Sequence, residues 1–237
     1  MITSAETLSS FDKLELSHAA VAVAFLDSPP VGMSRVGQAE AAGCGYWKRA
    51  SQGQTFYTTA EDHMNCPVGA FTHGVTLPPE KATELQSLVT TMIELKYLSG
   101  DEVPQIPRRS APMAVAAYAP LADAPFPPDA VIFRGTPRQI MLLTEAARGA
   151  GVFESGTVMG RPACAMLPHS IGSGAAAASV GCIGNRVYTA LGDDELYVVI
   201  PGNALRNVAR QLDTVLTANA ELEKSHQVRA RQLTGIA

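Results

Sequence analysis

The chain predicts an α/β fold in a single domain, a mixed sheet flanked by helices, with α+β as the alternative arrangement. Three observations predict it. Apolar runs of strand length are closed by turn residues, two long segments with helical spacing open at proline, and 46% of the residues are hydrophobic. At 237 residues that fraction is enough to bury a sizeable core.

Taken in order, Ala20 to Leu26 is an apolar run stopped by Asp27-Ser28-Pro29-Pro30, which predicts a buried strand and a turn. Gln38 to Ala50 has mixed apolar spacing and predicts a helix with Cys44 in its middle. Thr55 to Thr59 predicts a strand, and Asp62 to Gly69 a tight polar turn. Pro79 to Leu98 predicts a helix, since proline suits the first helical position and Leu85, Leu88, Val89, Met92, Ile93 and Leu95 share one broad face. Gly100 to Pro112 is a proline-bearing connector. Met113 to Tyr118 and Ala130 to Phe133 predict strands, and Pro137 to Ala150 a helix ended by Gly149 and Gly151. Two further strands are expected at 175–180 and 195–200, then a helix from Ala204 to about Ala220 and a tail, 221–237, that continues as helix or frays.

Composition excludes several classes of function. The net charge is −4 and no run of Lys and Arg is long enough to grip a phosphate backbone, so no nucleic-acid partner is expected. No apolar run has the length of a bilayer span, so no membrane partner is expected. Met1 to Lys13 has neither a cationic start nor an apolar core, which points to a cytoplasmic protein. Thiols in that compartment stay reduced, so the four cysteines are expected as core residues, metal ligands or redox groups rather than disulfides. Only 17% of residues are charged, and alanine and glycine take up the difference. That predicts a small-residue surface, part of it covered by a second subunit of a homo-oligomer.

The cysteines also mark an internal echo. Cys44 and Cys66 are followed by glycine, an apolar stretch, proline and a helix, and Cys164 and Cys182 are followed by the same sequence of features. This predicts two diverged halves, 17–100 and 111–220, packed about a pseudo-dyad where equivalent cysteines would converge.

Several segments carry the chemistry. His63 and Cys66 stand at H-x-x-C spacing, with His73 shortly after, so one turn can offer an imidazole and a thiolate to a metal, or pair them as base and nucleophile. Small residues flank Cys182, and Arg186 just beyond it could neutralise an anionic substrate or an anionic metal–thiolate centre. Glycines flank Cys44, beside Tyr46 and Trp47. Cys164 has only Arg161 as a polar neighbour. The sequence contains no C-x-x-C pair, no phosphate-binding loop, no dinucleotide fingerprint and no G-x-S-x-G elbow.

Four ordered motifs carry a family resemblance: Phe56-Tyr57-Thr58-Thr59 running on to Asp62-His63-Met64-Asn65-Cys66-Pro67-Val68-Gly69, Thr136-Pro137-Arg138-Gln139, Gly181-Cys182-Ile183-Gly184-Asn185-Arg186, and Asp194-Glu195-Leu196 with Ile200-Pro201. Over roughly Ser17 to Leu216 the chain resembles the domain of unknown function 169 family. The resemblance implies Cys44, Cys66, Cys164 and Cys182 as a set, and implies that His63 and His73 belong to a subgroup. It implies no reaction.

The leading expectation is a metalloprotein with those four cysteines as ligands, an iron–sulfur cluster ahead of zinc, acting on a small molecule by redox or Lewis-acid chemistry, with His63 and Arg186 serving the substrate or supporting the ligands. Two others stay open: a thiol enzyme with Cys66 as nucleophile and His63 as base, and a metal-free small-molecule binding or interaction protein.

Overall fold

The computed structural model describes residues 3–153 and 161–234; the last three residues of the expected tail lie outside that range. Six strands form one sheet: β1 (Val21–Leu26), β2 (Phe56–Thr59), β3 (Val115–Pro120), β4 (Ala130–Gly135), β5 (Ala177–Ser179) and β6 (Leu196–Pro201), in the order β2-β3-β1-β4-β6-β5. Every pairing of these strands is antiparallel. The parallel component is a single bridge from Arg35 to Tyr57, which covers the outer edge of β2.

Side chains alternate across a strand, and here both faces are buried, so the central strands read as continuous apolar runs. One face carries Ala22, Ala24, Ala117, Ala119, Val131, Phe133, Val198 and Ile200 under α1 (Ala5–Asp12), α5 (Pro137–Gly149) and α8 (Leu205–Thr234). The other carries Val21, Val23, Ala116, Tyr118, Ala130, Ile132, Ala177 and Val199 under α2 (Gly45–Ser51), α3 (Pro67–Thr72) and α6 (Met166–Ser173), with α7 (Ile183–Thr189) packed on α2. Many of the alanines lie in the sheet, such as Ala22, Ala24, Ala116, Ala117 and Ala119, where small side chains let helices approach from both sides, while others, such as Ala41, Ala122 and Ala190, are exposed. Among the described residues, no helix is long and apolar enough to cross a membrane.

The strands fall into two triplets with one internal order. In β2-β3-β1 and in β5-β6-β4 the third strand of the triplet lies between the other two. The triplets meet where β1 pairs with β4, with Val21 opposite Ile132, Ala22 opposite Val131 and Val23 opposite Ala130. Both third strands end in proline and pass into a 3-10 turn, Leu121–Asp123 after Pro120 and Gly202–Ala204 after Pro201. Each turn is fastened alike: Leu121 N–H donates to the Ala20 carbonyl at 2.7 Å and Gly202 N–H to the Asp129 carbonyl at 2.8 Å. Along the chain the division falls between β3 and β4, because β3 is hydrogen-bonded between β1 and β2.

Two local expectations change. The segment 38–50 is helical only from Gly45, and Cys44 is its N-cap residue rather than its middle. The segment 62–69 is a 3-10 turn, Ala60–His63, followed by the start of α3, rather than a single polar turn. The expected helix at 79–98 is α4 (Pro79–Glu94), and the last helix, α8, runs on through Thr234.

Candidate functional site

All four cysteines stand at the beginnings of helices. Cys44 caps α2, Cys66 caps α3, Cys182 caps α7, and Cys164 sits in the 3-10 turn Ala163–Ala165 that leads into α6. The first backbone N–H groups of a helix lack carbonyl partners, and here two of them turn to sulfur. Gly69 N–H donates to Cys66 Sγ at 3.4 Å, and Asn185 N–H donates to Cys182 Sγ at 3.5 Å. Proline at the first position of α3 preorganises that start. A side chain at Gly69 would lie 3.1 Å from Cys66 Sγ, so glycine leaves the sulfur room.

The elements that carry the cysteines pack across the triplets. Helix α2, opened by Cys44, packs on α7, opened by Cys182, while the turn that holds Cys164 packs on α3, opened by Cys66. Thr72 Oγ1, near the end of α3, lies 3.3 Å from Cys164 Sγ and 2.9 Å from the Gly69 carbonyl. Its one proton serves the carbonyl while the thiol is protonated and can turn to the sulfur once that is a thiolate. Asn185 of α7 stands beside Cys44 and Tyr197.

Burial dominates the acidity of the two inner cysteines. Burial pushes the Cys44 thiol up to about 12; Asn185 offsets part of this, and the charges of Cys66 and Cys182 add to it. Burial likewise pushes Cys164 well above the ordinary thiol range, with Cys66 as the next contributor and Cys44 and Cys182 adding further, against relief from Thr72. Cys44 and Cys164 are buried, whereas Cys66 and Cys182 are partly open. Among the described residues, no three or more His, Cys, Asp or Glu side chains stand close enough together to hold a metal ion as they are.

The two other expected site residues serve the frame. His63 is buried, with Nε2 2.9 Å from Thr58 Oγ1 and Nδ1 lying 3.5 Å from where a side chain on Gly43 would begin. It thus props the loop just before Cys44. Burial holds its pKa down to about 4. Cys66 N–H donates to the His63 carbonyl at 3.1 Å, but no hydrogen bond joins the imidazole to the Cys66 sulfur, so the base–nucleophile pair is not formed. Its neighbour His73, 5.6 Å away between ring centroids, is wholly buried, and among the described residues neither of its nitrogens has a hydrogen-bond partner. Burial, followed by His63 and Arg109, lowers its pKa to about 3. Arg186 donates to the carbonyls of Val180 and Gly192 and pairs with Asp193, so its guanidinium ties together the loops on either side of α7.

Sequence reasoning missed Thr72 and Asn185. The signal available was their offset: each falls within two turns of a cysteine that opens a helix, on the stretch of chain that faces the other triplet.

A two-triplet antiparallel sheet with four cysteine-opened helices on one side defines the class of protein. The chain belongs to the domain of unknown function 169 family, described as Uncharacterised ArCR, which matches residues 12–211. It is similar to an uncharacterised protein of Methanocaldococcus jannaschii, 25% identical over 162 residues that make up 66% of this chain and 69% of that one. No solved structure matches.

Proposed function

We propose that this is an iron–sulfur protein in which Cys44, Cys66, Cys164 and Cys182 hold one cluster that serves redox chemistry on a small molecule in the cytoplasm. The observation that carries the reading is that the four cysteines each open a helical segment on one side of the sheet, two from each triplet, with the Cys44 helix packed on the Cys182 helix and the Cys164 turn on the Cys66 helix.

The donor set fits such a group. Soft thiolates select iron–sulfur clusters, zinc or cuprous ions over hard cations. Four sulfurs around one zinc, at about 2.3 Å from the metal, stand roughly 3.8 Å from one another. A cluster places iron and sulfide between its ligands and wants them further apart. When bound, the cluster would supply one-electron exchange, or Lewis acidity at an iron not fully ligated by protein.

The chain's own groups would hold and tune it. The N–H groups of Gly69 and Asn185 would donate to the sulfurs of Cys66 and Cys182, and the hydroxyl of Thr72 to that of Cys164. Hydrogen bonds of this kind stabilise negative charge on sulfur and raise the reduction potential. His63 would keep the Cys44 loop in place and Arg186 the Cys182 loop, both as positioning residues. The thiol-enzyme reading has less support, since His63 is committed to Thr58 and poorly basic.

The test is anaerobic purification of untagged protein, with metal and sulfide analysis and an absorption spectrum on one sample. Broad absorption near ~400 nm and roughly four iron per chain are expected. Zinc without iron would replace the cluster by a structural or hydrolytic site, and a colourless protein that takes up no iron on reconstitution would overturn the reading.

A further inference from the structure

Helix α4 stands apart from the rest of the molecule. It is 16 residues long and none of its residues is buried, although it carries Leu85, Leu88, Val89, Met92 and Ile93 at helical spacing. It packs against α3, but the two do not close on each other. Between them lies a groove of about 580 Å³, lined by Phe71, Val75, Leu77, Leu85, Val89 and Val103 among others. That volume lies within the range of small-molecule sites, about 300–1,000 Å³, and so does the mainly apolar lining.

A charge lies beside the groove at Phe71. The Arg108 guanidinium lies 5.2 Å from the centre of the Phe71 ring. Among the described residues Arg108 forms no ion pair or hydrogen bond. Its backbone is fixed there, because the next residue, Arg109, donates its N–H to the Thr72 carbonyl at 2.9 Å. Arg109 itself points elsewhere, its guanidinium 4.2 Å from the Phe25 ring centre. An apolar trough with one unpaired guanidinium at its margin is complementary to a molecule with an apolar body and a single anionic head. Guanidinium is the cation best matched to a carboxylate.

We propose that the groove between α3 and α4 is a binding site for an acyl carboxylate, with the chain lying along Val75, Leu77, Leu85 and Val89 and the carboxylate on Arg108. Phe71 is five residues beyond Cys66 on the same helix, about 7.5 Å along its axis. A ligand here would lie beside the helix whose start carries one of the proposed cluster sulfurs. The proposal itself does not depend on the cluster and is tested apart from it.

Octanoate and 1-octanol are titrated by calorimetry into the full chain as isolated, at low and at physiological salt. Saturable binding of one octanoate per chain, tighter than octanol and weakened by salt, is expected. Arg108→Gln should lower octanoate affinity about tenfold, the equivalent of one charge-assisted hydrogen bond, and leave octanol unchanged. Val89→Trp should fill the groove and abolish both. Leu85→Gln, less demanding on shape, should weaken both while thermal unfolding stays near that of the unaltered chain. Absence of saturable octanoate binding, or binding that Arg108→Gln and the groove substitutions leave unchanged, would overturn the proposal. The iron content of the same samples reports separately on the cluster.

Discussion

Cys44 and Cys164 are hidden in the core and Cys66 and Cys182 are half open, and their chemistry should divide in the same way. A thiol reacts as thiolate, and burial that pushes Cys44 up to about 12 leaves almost none of it ionised near neutral pH. In metal-free protein at pH about 8, iodoacetamide should therefore modify Cys66 and Cys182 first, with Cys44 and Cys164 following only on unfolding. Peptide mass spectrometry reads the order, and early labelling of Cys44 or Cys164 would contradict their burial. The buried histidines set the acid limit. A histidine whose folded pKa is depressed binds fewer protons folded than unfolded, so its contribution to stability is complete above the unfolded value and is lost as pH falls toward the folded one. For His63 that window runs from 6.5 down to about 4, and for His73 from 6.5 down to about 3. Over its window His63 alone should remove roughly 3 kcal/mol. The urea midpoint should fall steadily below pH about 6.5, and His73→Phe should flatten that fall; a midpoint constant down to pH about 4.5 would mean that the imidazoles are solvated. Of the candidate site, the sequence singled out the four cysteines, and each stands at the start of a helical segment. Thr72 and Asn185 were not legible, because each acts on a cysteine more than 90 positions away, and their short offsets from Cys66 and Cys182 do not name that distant partner.

The helices that open at cysteines explain where local reading succeeds and where it stops. Helices α4 and α5 were legible because proline starts and periodic apolar faces act within one segment. Helix α2 was extended too far toward the N-terminus. Glu40 N–H donates to Tyr46 Oη at 3.0 Å, and the Tyr46 hydroxyl donates to the Asp62 carbonyl at 2.5 Å. These tertiary bonds hold 40–44 in a non-helical path that places Cys44 at the helix start. Gly202 teaches the same lesson at the end of β6. Its neighbours in sequence read only as a lead into a helix, yet a side chain there would begin 1.6 Å from the Pro128 carbonyl oxygen. The backbone has nowhere to yield without loosening β4 from β6, so Gly202→Ala should cost roughly 3 kcal/mol. The matching position in the other triplet, Leu121, carries a buried side chain and imposes no such limit. Chemical denaturation of the variant checks the value, and a loss below about 0.5 kcal/mol would mean that the two turns can shift freely.

On the scale of the whole molecule, the two triplets are held together by the β1–β4 pairing and, on one side of the sheet, by contacts that cross between them: α2 on α7, and the Cys164 turn on α3. Those crossings pack the helix opened by one triplet's cysteine against the element that carries a cysteine of the other. The arrangement allows two outcomes with different energetics. If Cys44 with Cys182 and Cys66 with Cys164 formed separate sites, a loss in one pair would leave the other intact, and substitutions in different pairs would add. If all four serve one cluster, metal binding is part of the folding free energy of the entire molecule, and removing any one ligand forfeits most of it. A second removal then finds little left to lose. The melting temperature of reconstituted Cys44→Ser, Cys66→Ser and the double variant distinguishes these. One centre predicts that the double variant melts close to the lower of the two singles and that each single already melts near the iron-free parent. Additive losses, the sign of independent sites, would divide the four cysteines into two pairs and remove the physical basis for a shared cluster.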